Sequence, residues 1–533
     1  MAAFETEILK RRTFGIISHP DAGKTTLTEK FLLFGGAIQV AGAIKAKKST
    51  RHATSDFMEI EKQRGISVAT SVMGFDYNNK KINILDTPGH KDFCEDTYRT
   101  LTAVDSVIMV IDSTKGVEAQ THKLMEVCRM RDTPIITFIN KMDRDGMTPI
   151  DVLDNIESSL NIPICPLSWP IGSGKSFKGV YNIYSQELVL YQPHQKQDAH
   201  DTIKITDLSD PKLESYIGCE AAQQLLEDMD LIQVYSPFNV DDYLAGRVTP
   251  VFFGSALNNF GVKELLDCFI DIAPSPKARD TTNGKIEPND PAFSGFIFKI
   301  HANIDPKHRD RIAFLRVCSG VFERQKKYVH VRTQKLIRSV NPTAFMAQAK
   351  TVIDEAFPGD IIGLHDTGQL KIGDTLTEGH LVHYTGIPSF SPEIFKTVKN
   401  MDPMKSKQLK KGLEQLSEEG VAQLFYRESD NQPIIGTVGV LQFDVIQYRL
   451  EHEYLAQCRF EPLGYTKACW ISSENPTALN DFVRRRKHQI AKDKSGRLVF
   501  LTETKWSLER EIKEQADIIF QFTSEMVEDT LPK

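Results

Sequence analysis

Gly23, Lys24, Thr25 and Thr26 close the stretch Ser18-His19-Pro20-Asp21-Ala22, which follows an apolar run and opens a helix-like segment. Phosphate groups need backbone N–H groups pointing inward and a helix N-terminus behind them. Gly23 lets the main chain approach, Lys24 reaches the β- and γ-phosphates of a nucleotide, and the Thr25 hydroxyl can ligate Mg²⁺. The pattern usually starts with Gly; here Ser18 stands there. Asp86-Thr87-Pro88-Gly89-His90 ends a second apolar run. A carboxylate at a strand end can hold a Mg²⁺-bound water, and the Gly89 N–H can touch a terminal phosphate, so this loop can sense whether that phosphate is present. His90 follows directly, where a side chain could act on an attacking water, as a base or by positioning it.

Asn140-Lys141-Met142-Asp143 follows a third apolar run. Guanine presents N1–H and an exocyclic N2–H₂, and the single carboxylate of Asp143 can accept from both. Adenine offers no such pair, so Asp143 selects GTP over ATP. The Lys141 stem can lie along the base, and Asn140 can tie this loop to the phosphate loop. Gly254-Ser255-Ala256 follows a later apolar run and could offer a backbone N–H to guanine O6. Each motif alone is weak. All four in order, each at the end of an apolar run, point to a GTP/GDP site along the C-terminal rim of one open α/β sheet. Between the first two motifs, the polar residues 39–64 lead into Arg64-Gly65-Ile66-Ser67. They read either as a loop that orders around Mg²⁺ and the γ-phosphate, with the Ser67 hydroxyl as second metal ligand, or as an ordinary exposed loop.

Elements must hold these residues in place. The runs 14–18, 82–86, 107–112, 135–140 and 251–254 are rich in Ile, Val and Phe and nearly unbroken, as strands read when helices cover both faces of a parallel sheet. Helix-like stretches such as 121–131 and 149–160 lie between them, so residues 1–278 form a doubly wound α/β domain. Residues 279–291 read as a linker. Residues 292–386 alternate with Gly, Pro and Asp punctuation, the pattern of a small antiparallel β-barrel. Residues 387–533 mix helices and strands as an α+β domain of the split βαβ kind. A leucine stripe at 409, 413 and 416 marks one helix, with Lys405, Lys407, Lys410 and Lys411 on its wet face. No internal sequence repeat is evident.

The bulk numbers set outer bounds. With 533 residues the chain needs several cores. A net charge of −6 argues against a wholesale polyanion binder, and no DNA partner is expected. No apolar run reaches membrane-span length and residues 1–12 lack an apolar signal core, so a cytoplasmic protein without a membrane partner is expected. The eight cysteines are scattered without metal spacing and read as buried, reduced thiols.

The set SHPDAGKTT, RGIS, DTPGH, NKMD and GSA resembles the translational GTPases, the group containing elongation factor G. Ser at the first phosphate-loop position and His after DTPG fit that group rather than Ras-like proteins. The resemblance continues through HANIDPKHRDRIAFLRVCSG, which looks like the barrel domain of these factors, and through LKKGLEQLSEEGVAQLF and IIGTVGVLQFDVIQYRLEHEY, which look like their third domain. It is closest to the branch acting in translation termination, supported by Ser168-Trp-Pro-Ile-Gly172. The chain is also too short for the two further C-terminal domains of elongation factor G.

The resemblance implies a ribosome-stimulated GTPase that dissociates codon-reading peptide chain release factors from the ribosome after peptide release. The implied partners are rRNA and ribosomal proteins, and the implied state is a monomer. It implies that Ser18, His19, Pro20, Asp21, Ala22, Gly23, Lys24, Thr25, Thr26 and Gly89 hold the phosphates. Thr25 and Ser67, with Asp86 through water, would hold Mg²⁺; Ser67 stands where relatives commonly have Thr. Asn140, Lys141, Asp143, Ser255 and Ala256 would hold guanine, and His90 would act once the ribosome positions it. The alternative within the group is a shorter relative of elongation factor G with a translocation or ribosome-protection role. Outside it stands a P-loop phosphotransferase, which would tolerate ATP. Arg51, His52, residues 307–311 and residues 484–487 are candidate RNA contacts or plain solvated charge.

Overall fold

A computed structural model describes residues 2–38, 61, 67–190, 202–235, 237–302, 311–338, 341–346, 349–379, 381–387 and 391–522. Arg51, His52, residues 62–66 and residues 307–310 lie outside the described residues.

The strand Arg11–Ser18 pairs in parallel with Lys80–Asp86 on one side and Ser106–Asp112 on the other. Parallel pairing continues through Ile135–Asn140, Thr249–Phe253 and Ile164–Pro166. One further strand, Ser71–Tyr77, runs antiparallel to Lys80–Asp86. The central strands are buried along their length because helices cover both faces. On one face Leu27 and Phe31 of the helix Lys24–Phe34 and Leu265 and Phe269 of Val262–Ile272 pack on Phe14, Ile16, Ile108 and Val110. On the other, Leu101, Leu124, Leu153 and Ile156 pack on Ile17, Val107, Met109 and Ile111. Neighbouring residues on one strand thus enter different cores, which is why the sequence shows unbroken apolar runs. The parallel register brings Ser18, Asp86, Asp112, Asn140 and Phe253 to one rim.

Between the Asn140 loop and the strand Thr249–Phe253 the chain inserts a four-stranded antiparallel sheet, Ser168–Ile171, Gly179–Asn182, Glu187–Leu190 and Thr202–Lys204. The helices Pro211–Ile217 and Cys219–Ile232 follow it. The insertion is anchored by Trp169, whose ring meets Phe253 edge-on at 5.5 Å while its Nε1–H donates to Asp228 at 2.8 Å.

Within 279–291 the strands Arg279–Thr281 and Gly284–Ile286 form a short hairpin. Arg279 donates to the carbonyls of Thr102 and Val104 and to Asp105. The barrel then follows as antiparallel strands, the longest being Ser294–Ala302 and Arg311–Ser319, around Phe293, Ile297, Leu315, Phe322, Tyr328 and Leu376. It is fastened to the first domain by buried polar contacts. Arg316 pairs with Asp105, and the Thr13 hydroxyl donates to the Gly359 carbonyl at 2.6 Å. Arg311, a candidate RNA contact from its sequence, is instead buried and paired with Asp366 and Glu418.

The C-terminal part is one eight-stranded antiparallel sheet. Its first half runs Ile394–Asn400, helix Ser406–Glu418, Gln423–Arg427, Pro433–Thr437, helix Val440–His452, Cys458–Pro462. Its second half repeats that βαββαβ order with Lys467–Ser472, helix Pro476–Arg485, Ile490–Asp493, Leu498–Thr502, helix Lys505–Glu514 and Ile519–Gln521. Each half has its first strand between its third and fourth, the split βαβ arrangement, and the halves join through Gln423–Arg427 and Ile490–Asp493. The fold therefore contains a structural repeat that the sequence does not display. Six cysteines are buried, but Cys219 is exposed and Cys94 half-buried. Among the described residues no helix is long and apolar enough to cross a membrane.

Candidate functional site

The phosphate loop leaves the strand Arg11–Ser18 and enters the helix Lys24–Phe34 through two left-handed residues, Asp21 at φ 64° and Gly23 at φ 98°. Gly23 is required twice over. Its backbone disfavours any Cβ, and a Cβ there would lie 2.2 Å from Asn140 Nδ2. Lys24 is buried and donates to Asp86 at the end of the neighbouring strand. Thr25 and Thr26 sit half-exposed on the first helical turn. Ser18 is buried, its hydroxyl donating to the His19 carbonyl, and His19 Nε2 lies 3.3 Å from Glu118. Gly89 faces Pro20: a Cβ at Gly89 would touch Pro20 Cα and N at 3.4 Å.

Asn140 joins three loops. Its Nδ2 donates to the Ala22 carbonyl at 2.7 Å, and its Oδ1 accepts the Ala256 N–H at 2.8 Å. Ser255 is buried, and its backbone exchanges hydrogen bonds with Phe260. Lys141, left-handed at φ 70°, reaches back over the phosphate loop. Its ammonium donates to the Asp21 carbonyl at 2.5 Å and to Asp112 at 2.6 Å. Asp112 was not singled out from sequence. Burial alone would raise its carboxyl, but the bonds from Lys141 and Thr114 outweigh burial and hold it below the usual range. The available signal was its position at a strand end, the same one Asp86 occupies.

Two carboxylate oxygens on this rim, Asp86 Oδ2 and Asp143 Oδ1, are buried with no hydrogen-bond partner among the described residues. Leaving such an oxygen unmet is expensive unless a donor or cation arrives. They are the oxygens for which a metal-bound water and a guanine N–H pair are the expected partners. Lys24 is bonded to Asp86, and Gly23 stands against Asn140, three residues before Asp143; the residues fit a guanine nucleotide with Mg²⁺.

His90 caps a short turn, Lys91–Phe93; its Nδ1 accepts the Asp92 N–H at 3.2 Å. Ser67 is half-exposed, and the two residues after it, Val68 and Ala69, donate their N–H groups to Glu61. Behind the turn lies a buried charged layer. Asp96 accepts from the Thr70 N–H at 2.7 Å and from Lys299 of the barrel at 2.8 Å. Burial would raise its carboxyl, but Lys299 and Arg99 hold it down at about 2. Burial pushes the adjacent Glu95 up to about 7, against the pull of Arg99.

Three family models match the chain in series. The family model described as elongation factor Tu GTP binding domain matches residues 9–275, just over half of the chain. That described as elongation factor G domain 2 matches residues 292–379, and that described as class II release factor RF3, C-terminal domain, matches residues 384–511. A crystal structure of a protein from Thermus thermophilus is similar at TM-score 0.69 and 20% identity, covering 88% of this chain and 71% of its own. At that identity the likeness is one of fold. The chain belongs to the family of the elongation factor Tu GTP-binding domain: it is a P-loop GTPase that binds guanine nucleotide and hydrolyses GTP. Its three matches in series make it a translational GTPase of the release factor 3-like kind, a family that works at the ribosome.

Proposed function

We propose that the protein is the termination GTPase of its group: a ribosome-stimulated enzyme that drives codon-reading release factors off the ribosome after peptide release. What supports this is the release-factor C-terminal match over residues 384–511, set behind a site equipped for guanine nucleotide. Asp143 accepts the guanine N1–H and N2–H₂, while the Ala256 N–H stays on Asn140 Oδ1 and so holds Ser255 and Ala256 beside the base. Ser18 to Thr26 wrap the phosphates, and Lys24 exchanges Asp86 for the β- and γ-phosphates. Thr25, Ser67 and, through water, Asp86 would hold Mg²⁺, which supplies charge neutralisation at those phosphates. Gly89, against Pro20, meets the γ-phosphate and reports its loss.

His90 acts on the attacking water. Its Nδ1 already accepts the Asp92 N–H, so the neutral ring carries its proton on Nε2. In that form Nε2 orients water by donating a hydrogen bond, which favours positioning over general-base action. Exposed basic residues such as Arg484 and Lys487 are available to rRNA. The deciding experiment loads terminated ribosomes with a labelled codon-reading factor and adds the protein with GTP. Accelerated release of the label is expected. If the label stays while translocation is accelerated or the ribosome is protected, the elongation factor G-like alternative replaces this reading.

A further inference from the structure

The turn that carries His90 is held from outside by the C-terminal part of the chain. Asp92, two residues after His90, is buried, with only 5% of its surface exposed. Its backbone N–H binds the His90 ring at 3.2 Å, while its carboxylate Oδ2 accepts the Leu441 N–H at 2.8 Å. Leu441 is the second residue of the helix Val440–His452, 349 positions further along. A helix N-terminus favours an anion at this point. Gln442 Oε1 takes the N–H groups of Val438 and Gly439, and Asp92 takes the Leu441 N–H at the same helix start. Gly439 makes the approach possible: a Cβ there would lie 2.0 Å from Asp92 Cγ. Phe93 packs with Val68 and Val445, and Arg99 donates to the Gly420 carbonyl at 2.8 Å. Val68 follows Ser67 directly, so the same helix also touches the end of the other phosphate-sensing loop.

We infer that Asp92 is a positioning residue for GTP hydrolysis, coupling the orientation of His90 to the seat of the helix Val440–His452. When the ribosome shifts the C-terminal part, the first turn of that helix carries Asp92, and the ring bonded to its N–H swings with it. This inference rests on the assignment of His90 to the attacking water.

Gly439→Ala tests it, since Gly439 touches no nucleotide-site residue named above. The added methyl pushes Asp92 away from the helix. Ribosome-stimulated kcat should fall about tenfold or more, the rate equivalent of one lost charge-assisted hydrogen bond. GTP affinity, ribosome-free hydrolysis and the ribosome concentration at half-saturation should all stay within about twofold, a split a merely structural defect would not give. Asp92→Asn keeps an acceptor of the same shape without the charge. It should fall between wild type and Gly439→Ala, and it serves as the test if Gly439→Ala does not fold. In the His90→Ala background, Gly439→Ala should add nothing. Stimulated kcat unchanged in both single variants, or a change confined to the half-saturating ribosome concentration, overturns the inference. If His90→Ala is silent while Gly439→Ala still lowers kcat, the His90 assignment fails and the coupling runs through another group.

Discussion

Replacing Asn140 with Ala should unfasten the nucleotide site from within, without removing any group that touches nucleotide charge. Asn140 is buried to 3% exposure and satisfies two main-chain groups, the Ala22 carbonyl at 2.7 Å and the Ala256 N–H at 2.8 Å. Alanine leaves both without a partner. A buried group stranded in this way costs about 1–3 kcal/mol, and water entering the small gap returns part of it, so a loss of about 3 kcal/mol is expected for the pair. For a domain of this size each kcal/mol lowers the melting temperature by about 2–4 °C, which gives a fall of about 6–12 °C in nucleotide-free protein. Where the same energy is needed to reorder the phosphate loop around ligand, GTP affinity drops by up to about 100-fold at 1.4 kcal/mol per tenfold. Asn140→Asp separates the two bonds. It still accepts from Ala256 N–H but turns a carboxylate toward the Ala22 carbonyl, so it should lose GTP affinity as alanine does while keeping the 254–256 loop in place. Circular dichroism melts and titration with a fluorescent GTP analogue read both quantities. An alanine variant that melts within about 2 °C of wild type and binds GTP within about threefold would show that the three loops do not depend on this side chain.

Other outcomes follow from the same geometry. Gly23→Ala combines a left-handed backbone with a methyl 2.2 Å from Asn140 Nδ2; equilibrium binding should show GTP affinity lost by about 100-fold or more, since left-handed strain alone is worth about 1–2 kcal/mol. Glu95 holds a proton in the folded protein up to about pH 7, while its ordinary carboxyl value is 4.5. Between those values the folded state binds a proton the unfolded state lacks, so stability falls as pH rises through that window and is level above it. The full difference is about 3 kcal/mol, and Glu95→Gln should remove that slope in urea melts taken from pH 5 to pH 8. His90→Ala should leave GTP affinity within about twofold and lower ribosome-stimulated hydrolysis by about 100-fold, the range of a lost proton-handling or water-orienting group; equal stimulated rates would remove His90 from the reaction.

Much of the site could be read from the sequence because its parts are local. Gly23-Lys24-Thr25, Asp86-Thr87-Pro88-Gly89 and Asn140-Lys141-Met142-Asp143 are each a few residues long, and each follows an unbroken apolar strand. What escaped is what depends on distant pairing. Asp112 carries no motif and gains its place only when Lys141 folds back to it. The bond between Asp92 and the Leu441 N–H joins residues on different domains, and nothing near either one announces it. The strand Ser71–Tyr77 had a signal that was missed: Asn78 and Asn79, at φ 45° and 60°, are the residues a tight two-residue hairpin prefers. The repeated βαββαβ unit was hidden for another reason. Its second copy keeps the order of elements but buries few helix residues, Phe482 in one helix and Leu508 and Glu511 in the other. Segments so polar read as surface rather than as half of a sheet.

In the proposed site guanine is read by one carboxylate, Asp143, at the rim that also holds phosphate. The most direct measurement is a binding panel of GTP, ATP and xanthosine triphosphate on wild type and on Asp143→Asn. Wild type should bind GTP and reject ATP by about 1,000-fold or more, as expected when a buried acceptor is left unpaired. The Asn variant, presenting one donor and one acceptor, should lose GTP and gain the xanthine nucleotide, whose ring carries a carbonyl where guanine has its amino group. Equal binding of ATP and GTP by the wild type, or unchanged GTP binding in the variant, would contradict it.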